Sequence, residues 1–460
     1  MKRVSHLFAL LAAAAVVVCG CGKDPDPEVP DDKPQDPPVE EELEDLKLTA
    51  PVVDEWVWEG YPQFTLEMEN PNGVPVTAVT RVKISTDKKK SLLTTEEVST
   101  EIPAHSSKTV VMTTAEPMDP GFYKATLQVI GGRTRGYTFG ISPTQIVSAP
   151  DKQDDFDAFW DATIAQLEAV DMNPTLTEIP GYSNASCKCY MVEFQSIADG
   201  LTGDPVVIHG YYLEPQDGKK HPVLMHYYGY DDLAPHGQIF CPSGSGEFAE
   251  FYLSTRGQII NNRKSENRSD GLPVDFSNAY GDWFAFHFGD RDSYYYRGAF
   301  MDCVQGIRFM ATRETSDMEN IFAEGKSQGG AFSYAAAALS PYPLRAVAPG
   351  VAFLGDFPDY FKIVDWPANV AKSKKGSMSD DEMYAFLSYF DTKNLATRIT
   401  CAVIANSCLQ DVTCPPHTNM APFNNLSNPD KEIHYYATLG HVVPDGWDAK
   451  YLKFFRERIK

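Results

Sequence analysis

At 460 residues the chain is too long for one ordinary domain and suits two or three. Its composition, 43% hydrophobic and 22% charged, is that of a globular protein. A formal net charge of -23 argues against nucleic acid and anionic membrane surfaces as partners, because both repel an acidic protein.

Residues 1–20 read as a lipoprotein signal peptide. Lys2 and Arg3 form a basic start, and the apolar run from Leu7 to Val18 is too short to span a bilayer. It ends in Val18-Cys19-Gly20-Cys21, which resembles a bacterial lipobox, so cleavage before Cys21 leaves a lipidated cysteine. An ordinary signal peptide cut near the alanines is the alternative. Residues 21–46 are rich in Pro, Asp and Glu, cannot bury a core, and are expected to form a disordered acidic tether. An acidic stretch so placed resembles the surface-export signals of Bacteroidetes-type lipoproteins. The expected location is a bacterial outer membrane, surface-exposed or periplasmic, with the lipid as the only membrane contact.

Residues 47–145 look all-β. Short apolar runs such as Phe64-Thr65-Leu66 and Val110-Val111-Met112 alternate with turns such as Asn70-Pro71-Asn72-Gly73, which suits a small Ig-like sandwich. Spacer, packing partner and glycan-binding module are all open roles for it. The pattern then changes. Phe156, Phe159, Trp160 and Ile164 recur at helical spacing. Strands are expected at Val206 to Leu213, Val223 to Tyr228, Phe251 to Ser254, 321–324, Ala346 to Ala348, Cys401 to Ala405 and Ile433 to Ala437, with a helix over Ala299 to Ala311. Such alternation over 146–460 implies a mostly parallel sheet covered on both faces. Residues 355–398 interrupt it and read as a lid or an edge insertion.

Nine cysteines are present, two of them in the export signal. The other seven, an odd number, include no C-x-x-C and no zinc-finger spacing, so they read mostly as small buried residues; a disulfide stays open with its pairing unreadable, and no metal is expected. Cys187 and Cys189 lie two apart in an expected strand, pointing the same way and poorly placed to bond each other.

The chemistry centres on Gly325-Lys326-Ser327-Gln328-Gly329. An apolar strand precedes this G-x-S-x-G and an alanine-rich helix follows, the setting of a nucleophile elbow. A Gly-rich turn capping a buried helix is the simpler alternative. The partners must follow in the order Ser, acid, His. Of the later histidines, His434 lies inside a strand and His417 begins a helix, whereas His441 follows a glycine on a loop. His441 is therefore the expected base. Asp411, on the loop beyond the preceding strand, is the expected acid, with Asp430 and Asp445 as weaker rivals. The amides of Gln328 and Tyr230 are the expected oxyanion donors. Tyr227, Tyr230, Trp283 and Tyr294 to Tyr296 are candidates for stacking on sugar rings.

Together these segments resemble the acetyl xylan esterase / cephalosporin C deacetylase family, carbohydrate esterase family seven. The motifs that carry the resemblance are "DFDAFWDATIAQL", the Arg256-Gly257-Gln258 triplet, "DRDSYYYRGAFMDCVQGI", "GKSQGGAFSYAAAALSP" and "QDVTCPPHT", over about residues 150–458. The resemblance implies an α/β-hydrolase that removes acetyl groups from sugar hydroxyls by Ser–His–Asp acyl transfer to water, with no cofactor. It implies Ser327, Asp411 and His441 as the triad, and Arg256 and Gln258 as supports of the site. It also implies a homo-oligomer, since many members form hexameric rings, although the extra N-terminal region departs from that pattern. Tyr228 stands where the family usually has His, Val442 where it has Glu, and Lys326 where it has a small residue. The expected partner is an acetylated oligo- or polysaccharide. A prolyl-oligopeptidase-like peptidase and an inactive glycan-binding lipoprotein are the alternatives.

Overall fold

The computed structural model describes residues 43–88, 90–130, 134–200, 202–230, 238–239, 244–260 and 280–460. The expected signal peptide, the lipidation site Cys21 and nearly all of the tether lie outside the described residues.

Residues 47–141 form two sheets. Three strands, Lys47–Thr49, Phe64–Glu69 and Ser107–Met112, make one, and five make the other in the order Val57–Trp58, Thr134–Ile141, Gly121–Val129, Val76–Thr86, Leu92–Ile102. The runs Phe64-Thr65-Leu66 and Val110-Val111-Met112 pair directly, Phe64 opposite Met112. Period-two patterning places Leu66 and Met68 of the first sheet and Val82, Ile84 and Phe139 of the second in the interior. The sheets meet through aromatic edges, with Phe64 5.1 Å from Phe139 and 5.5 Å from Trp58.

Beyond residue 175 a nine-stranded sheet runs in the order Lys431–Tyr436, Ala402–Cys408, Ala346–Gly350, Ser316–Lys326, His221–Tyr227, Ala249–Ser254, Pro205–Pro215, Cys187–Ala198, Thr175–Glu178. The first six are parallel and the last three antiparallel. Central strands such as Ala402–Cys408 are buried at every position, because helices cover both faces. Alternate residues divide between those faces. Val223, Ile321, Val347 and Val403 share a core with helices Tyr295–Met310 and Gln328–Leu339. Leu224, Phe322, Ala346 and Ile404 pack on helix Trp447–Arg456 instead. The helix expected at Ala299 begins four residues earlier, at Tyr295, because the aromatics there face the core rather than a loop.

Residues 355–398 are not an open flap. They form helices Phe357–Ile363, Ala368–Lys374 and Asp380–Leu387, and the start of the first is anchored by the buried Asp391, whose carboxylate accepts from the amides of Asp356 and Phe357 at 2.9 and 3.0 Å. The β-rich region docks on the α/β part through polar contacts. Lys88 pairs with Asp359, Glu55 accepts from the amide of Ala437, and Asn424 donates to the carbonyls of Pro143 and Ile146. Among the described residues no helix is long and apolar enough to cross a membrane.

Candidate active site

Ser327, Tyr230, Asp411 and His441 all follow the carboxyl ends of parallel strands, where open α/β sheets place their sites. Ser327 stands between strand Ser316–Lys326 and helix Gln328–Leu339 at φ 58°, ψ -120°, a conformation a non-glycine residue adopts only when its surroundings enforce it. The flanking glycines permit it. A Cβ on Gly325 would lie 2.4 Å from the carbonyl of Gly329, and one on Gly329 would lie 2.1 Å from the carbonyl of Tyr227.

His441 Nε2 is 3.0 Å from Ser327 Oγ, and its Nδ1 is 2.7 Å from Asp411 Oδ2. A carboxylate only accepts, so Nδ1 carries the proton and Nε2 is left to accept from the serine hydroxyl. The Asp411 carboxylate is fully buried and oriented by the amides of Thr413 and Cys414, each donating to Oδ1 at 2.8 Å. The rivals lie elsewhere: Asp430 pairs with Arg458, and Asp445 is exposed. His434 faces Glu432, and His417 is buried between Asp356 and Asp359. Those last three groups lie close enough together to suggest a cation site. Lysine ammoniums already occupy both carboxylates, Lys393 on Asp356 at 3.0 Å and Lys88 on Asp359.

Gln328 opens its helix, so its amide has no acceptor within that helix. The loop carrying Tyr230 runs alongside: a Cβ on Gly229 would be 3.8 Å from that of Ser327. The Gly229 carbonyl accepts from Gln258 Nε2 at 3.3 Å, and Gln258 Oε1 accepts from the amide of Thr255. Arg256 forms a buried bidentate pair with Asp302, at 2.9 Å from Nε and 2.7 Å from the terminal nitrogen. The Arg256 carbonyl accepts from the Tyr295 hydroxyl at 2.9 Å. The Tyr230 hydroxyl donates to Asp282, and its ring meets Trp283 and Trp366.

The aromatics considered for sugar stacking are corrected by their burial. Tyr227, Trp283, Tyr294, Tyr295 and Tyr296 are at most 4% exposed, packed in the core beneath the site. The Tyr296 hydroxyl donates to Gln328 Oε1, so it braces the elbow from below. Only Tyr230 is partly open. Lys326 points to solvent, and Val442 is exposed on the His441 loop. Sequence reasoning missed Asp302, Gln410, Trp366 and Cys414. Burial pushes the Cys414 thiol well up, and its amide donates to Asp411. Asp302 and Trp366 reach the site from distant segments with no spacing to link them, whereas Gln410 and Cys414 lie on the Asp411 loop itself and carry no pattern that marks a role.

An acetyl xylan esterase family model matches residues 145–458. The chain belongs to the acetyl xylan esterase family. It is a carboxylic ester hydrolase with an α/β-hydrolase fold. It is 25% identical to the acetyl esterase Axe7A of Xylanibacter ruminicola over 332 residues, 68% of this chain and 69% of that one. An acetyl xylan esterase from Paenibacillus sp. R4 is similar at 27% identity and a TM-score of 0.57, covering 69% of this chain and 98% of that structure. Acetyl xylan esterase 1 from Thermoanaerobacterium sp. JW/SL YS485 shares the fold at 24% identity and a TM-score of 0.56, with 69% and 98% covered. These relatives do not favour the peptidase or the inactive glycan-binding alternative. The β-rich region lies outside the family match.

Proposed function

We propose that the esterase removes acetyl groups from acetylated saccharides, xylan-derived oligosaccharides or similar, by acyl transfer through Ser327. One observation carries the reading: His441 bridges Ser327 Oγ at 3.0 Å and Asp411 at 2.7 Å. Ser327 Oγ attacks the acetyl carbonyl carbon while His441 Nε2 takes its proton, and Asp411 holds the imidazolium. The amides of Gln328 and Tyr230 face the oxyanion that forms. Collapse breaks the bond to the sugar oxygen, which leaves with the proton from His441. Water, deprotonated by the same histidine, then hydrolyses the acetyl-serine to acetate and restores Ser327. Arg256 and Gln258 act indirectly in this reading: Gln258 holds the Gly229 carbonyl, and Arg256, paired with Asp302, fixes the turn that carries Gln258.

Acetate release from acetylated xylo-oligosaccharides tests it. Wild type should release acetate, and Ser327→Ala should lose on the order of 10³-fold or more. Activity on an aryl acetate alone would keep the triad and discard the saccharide. We also read the apolar run Leu7 to Val18 followed by Cys21 as a lipoprotein signal that tethers the enzyme to a bacterial outer membrane. Fatty-acid labelling that survives Cys21→Ala would rule out that anchor.

A further inference from the structure

A cavity of about 390 Å³ opens where the β-rich region meets the catalytic part. Lys90, Lys124 and Thr138 line one wall, and Asp365, Trp366 and the acid loop from Asp411 to Thr413 line the other. Lys124 and Thr138 are opposite one another in an antiparallel pair, so their side chains leave the sheet on the same face. Among the described residues neither lysine ammonium takes part in an ion pair. Trp366 stacks one face on Phe353 at 5.4 Å and meets the ring of Tyr230 at 5.3 Å, so the cavity wall is continuous with the oxyanion loop. Asp411 forms part of the lining although its carboxylate is buried against His441. The cavity therefore lies beside the triad and not on Ser327.

Its chemistry suits a sugar. An indole offers an apolar surface to ring C–H groups, and the Asp87 and Asp365 carboxylates with two ammoniums offer acceptors and donors to hydroxyls. The volume falls within the range of small-molecule sites and fits roughly one or two pyranose rings. Lys90, Lys124 and Thr138 lie outside the 145–458 family match, so the family core alone does not make this cavity.

We propose that the cavity is a second saccharide subsite, holding a sugar unit next to the acetylated one. The β-rich region then directs the esterase toward oligomeric substrates and away from small acetates. The proposal rests on the deacetylase reading above. Binding energy gained at a remote subsite raises kcat/KM for substrates long enough to reach it.

Two measurements on the protein with its β-rich region in place test it. Xylohexaose, which carries no acetyl group, is titrated into Ser327→Ala with and without Lys90→Ala/Lys124→Ala. The ratio of kcat/KM on acetylated xylohexaose to that on p-nitrophenyl acetate is compared between wild type and the double lysine variant. The lysine substitutions should weaken xylohexaose binding and lower the ratio, each at least roughly fivefold. Smaller changes in both overturn the subsite and leave the esterase intact. Failure of the wild type to release acetate from either ester sinks the deacetylase reading instead, whatever xylohexaose does.

Discussion

Gln410 and Thr138 hydrogen-bond in both directions: the Thr138 amide donates to Gln410 Oε1 at 2.9 Å, and Gln410 Nε2 donates to the Thr138 carbonyl at 3.0 Å. The same Nε2 donates to the Ala437 carbonyl at 2.6 Å, four residues before His441. Since Gln410 precedes Asp411, one side chain ties the β-rich region to the loops carrying both the acid and the base. Gln410→Ala removes these bonds and loosens the spacing of Asp411 and His441. We expect kcat on p-nitrophenyl acetate to fall roughly tenfold with KM changed less than about twofold. An unaltered kcat would mean that the interface is only a structural seam.

Asp411→Asn preserves shape but lets the side chain donate, which favours the wrong tautomer of His441. The expected loss is on the order of 10⁴ in kcat, with the fold intact by circular dichroism. A loss under about tenfold would remove Asp411 from its role, since the orienting group of a triad cannot be so dispensable.

Two aspartates paired with arginines offer a contrast in stability. Asp302 is fully buried with Arg256, whereas the Asp430 side chain is 50% exposed beside Arg458. Asp302→Asn leaves a buried guanidinium uncompensated and should destabilise by about 3–5 kcal/mol in urea unfolding. Asp430→Asn should change stability by about 1 kcal/mol or less. Equal effects would contradict the burial argument. Arg256→Lys should not rescue the pair, because an ammonium cannot make the bidentate contact.

His226 supplies the pH dependence. Burial alone would lower its pKa, but hydrogen bonds to Glu250 and Glu324, at 3.2 and 2.7 Å, hold it up at about 9. A folded pKa above the unfolded value stabilises the native state fully below about pH 6.5, and that contribution is lost as pH rises toward 9. The unfolding free energy should therefore fall between pH 6.5 and 9, by on the order of 2–3 kcal/mol. The drop should be absent in His226→Asn. A wild type equally stable at both ends would show that the imidazole is neutral in the fold.

The candidate catalytic elements leave local marks in the chain. An elbow at Ser327 needs glycines on both sides of a strand–helix turn, and that need is met within five residues. Chain order and the exclusion of strand and helix histidines pointed to His441, and the loop after a strand pointed to Asp411. A parallel sheet wrapped by helices showed itself in alternating strand and helix patterns, because both faces of such strands must be apolar.

What the sequence could not decide were relations between distant segments. Arg256 finds Asp302 across 46 positions and Gln410 finds Thr138 across 272, and neither separation has a period to read. The tyrosines and tryptophan around the site were equally ambiguous, since a ring that stacks on a ligand and a ring that fills a core have the same composition. Only the tertiary packing of helix Tyr295–Met310 against the sheet decided that Tyr295 and Tyr296 are core, and that Trp366 lines a cavity. Local backbone demands are written locally; burial and long-range pairing are decided by which surfaces the folded chain brings together.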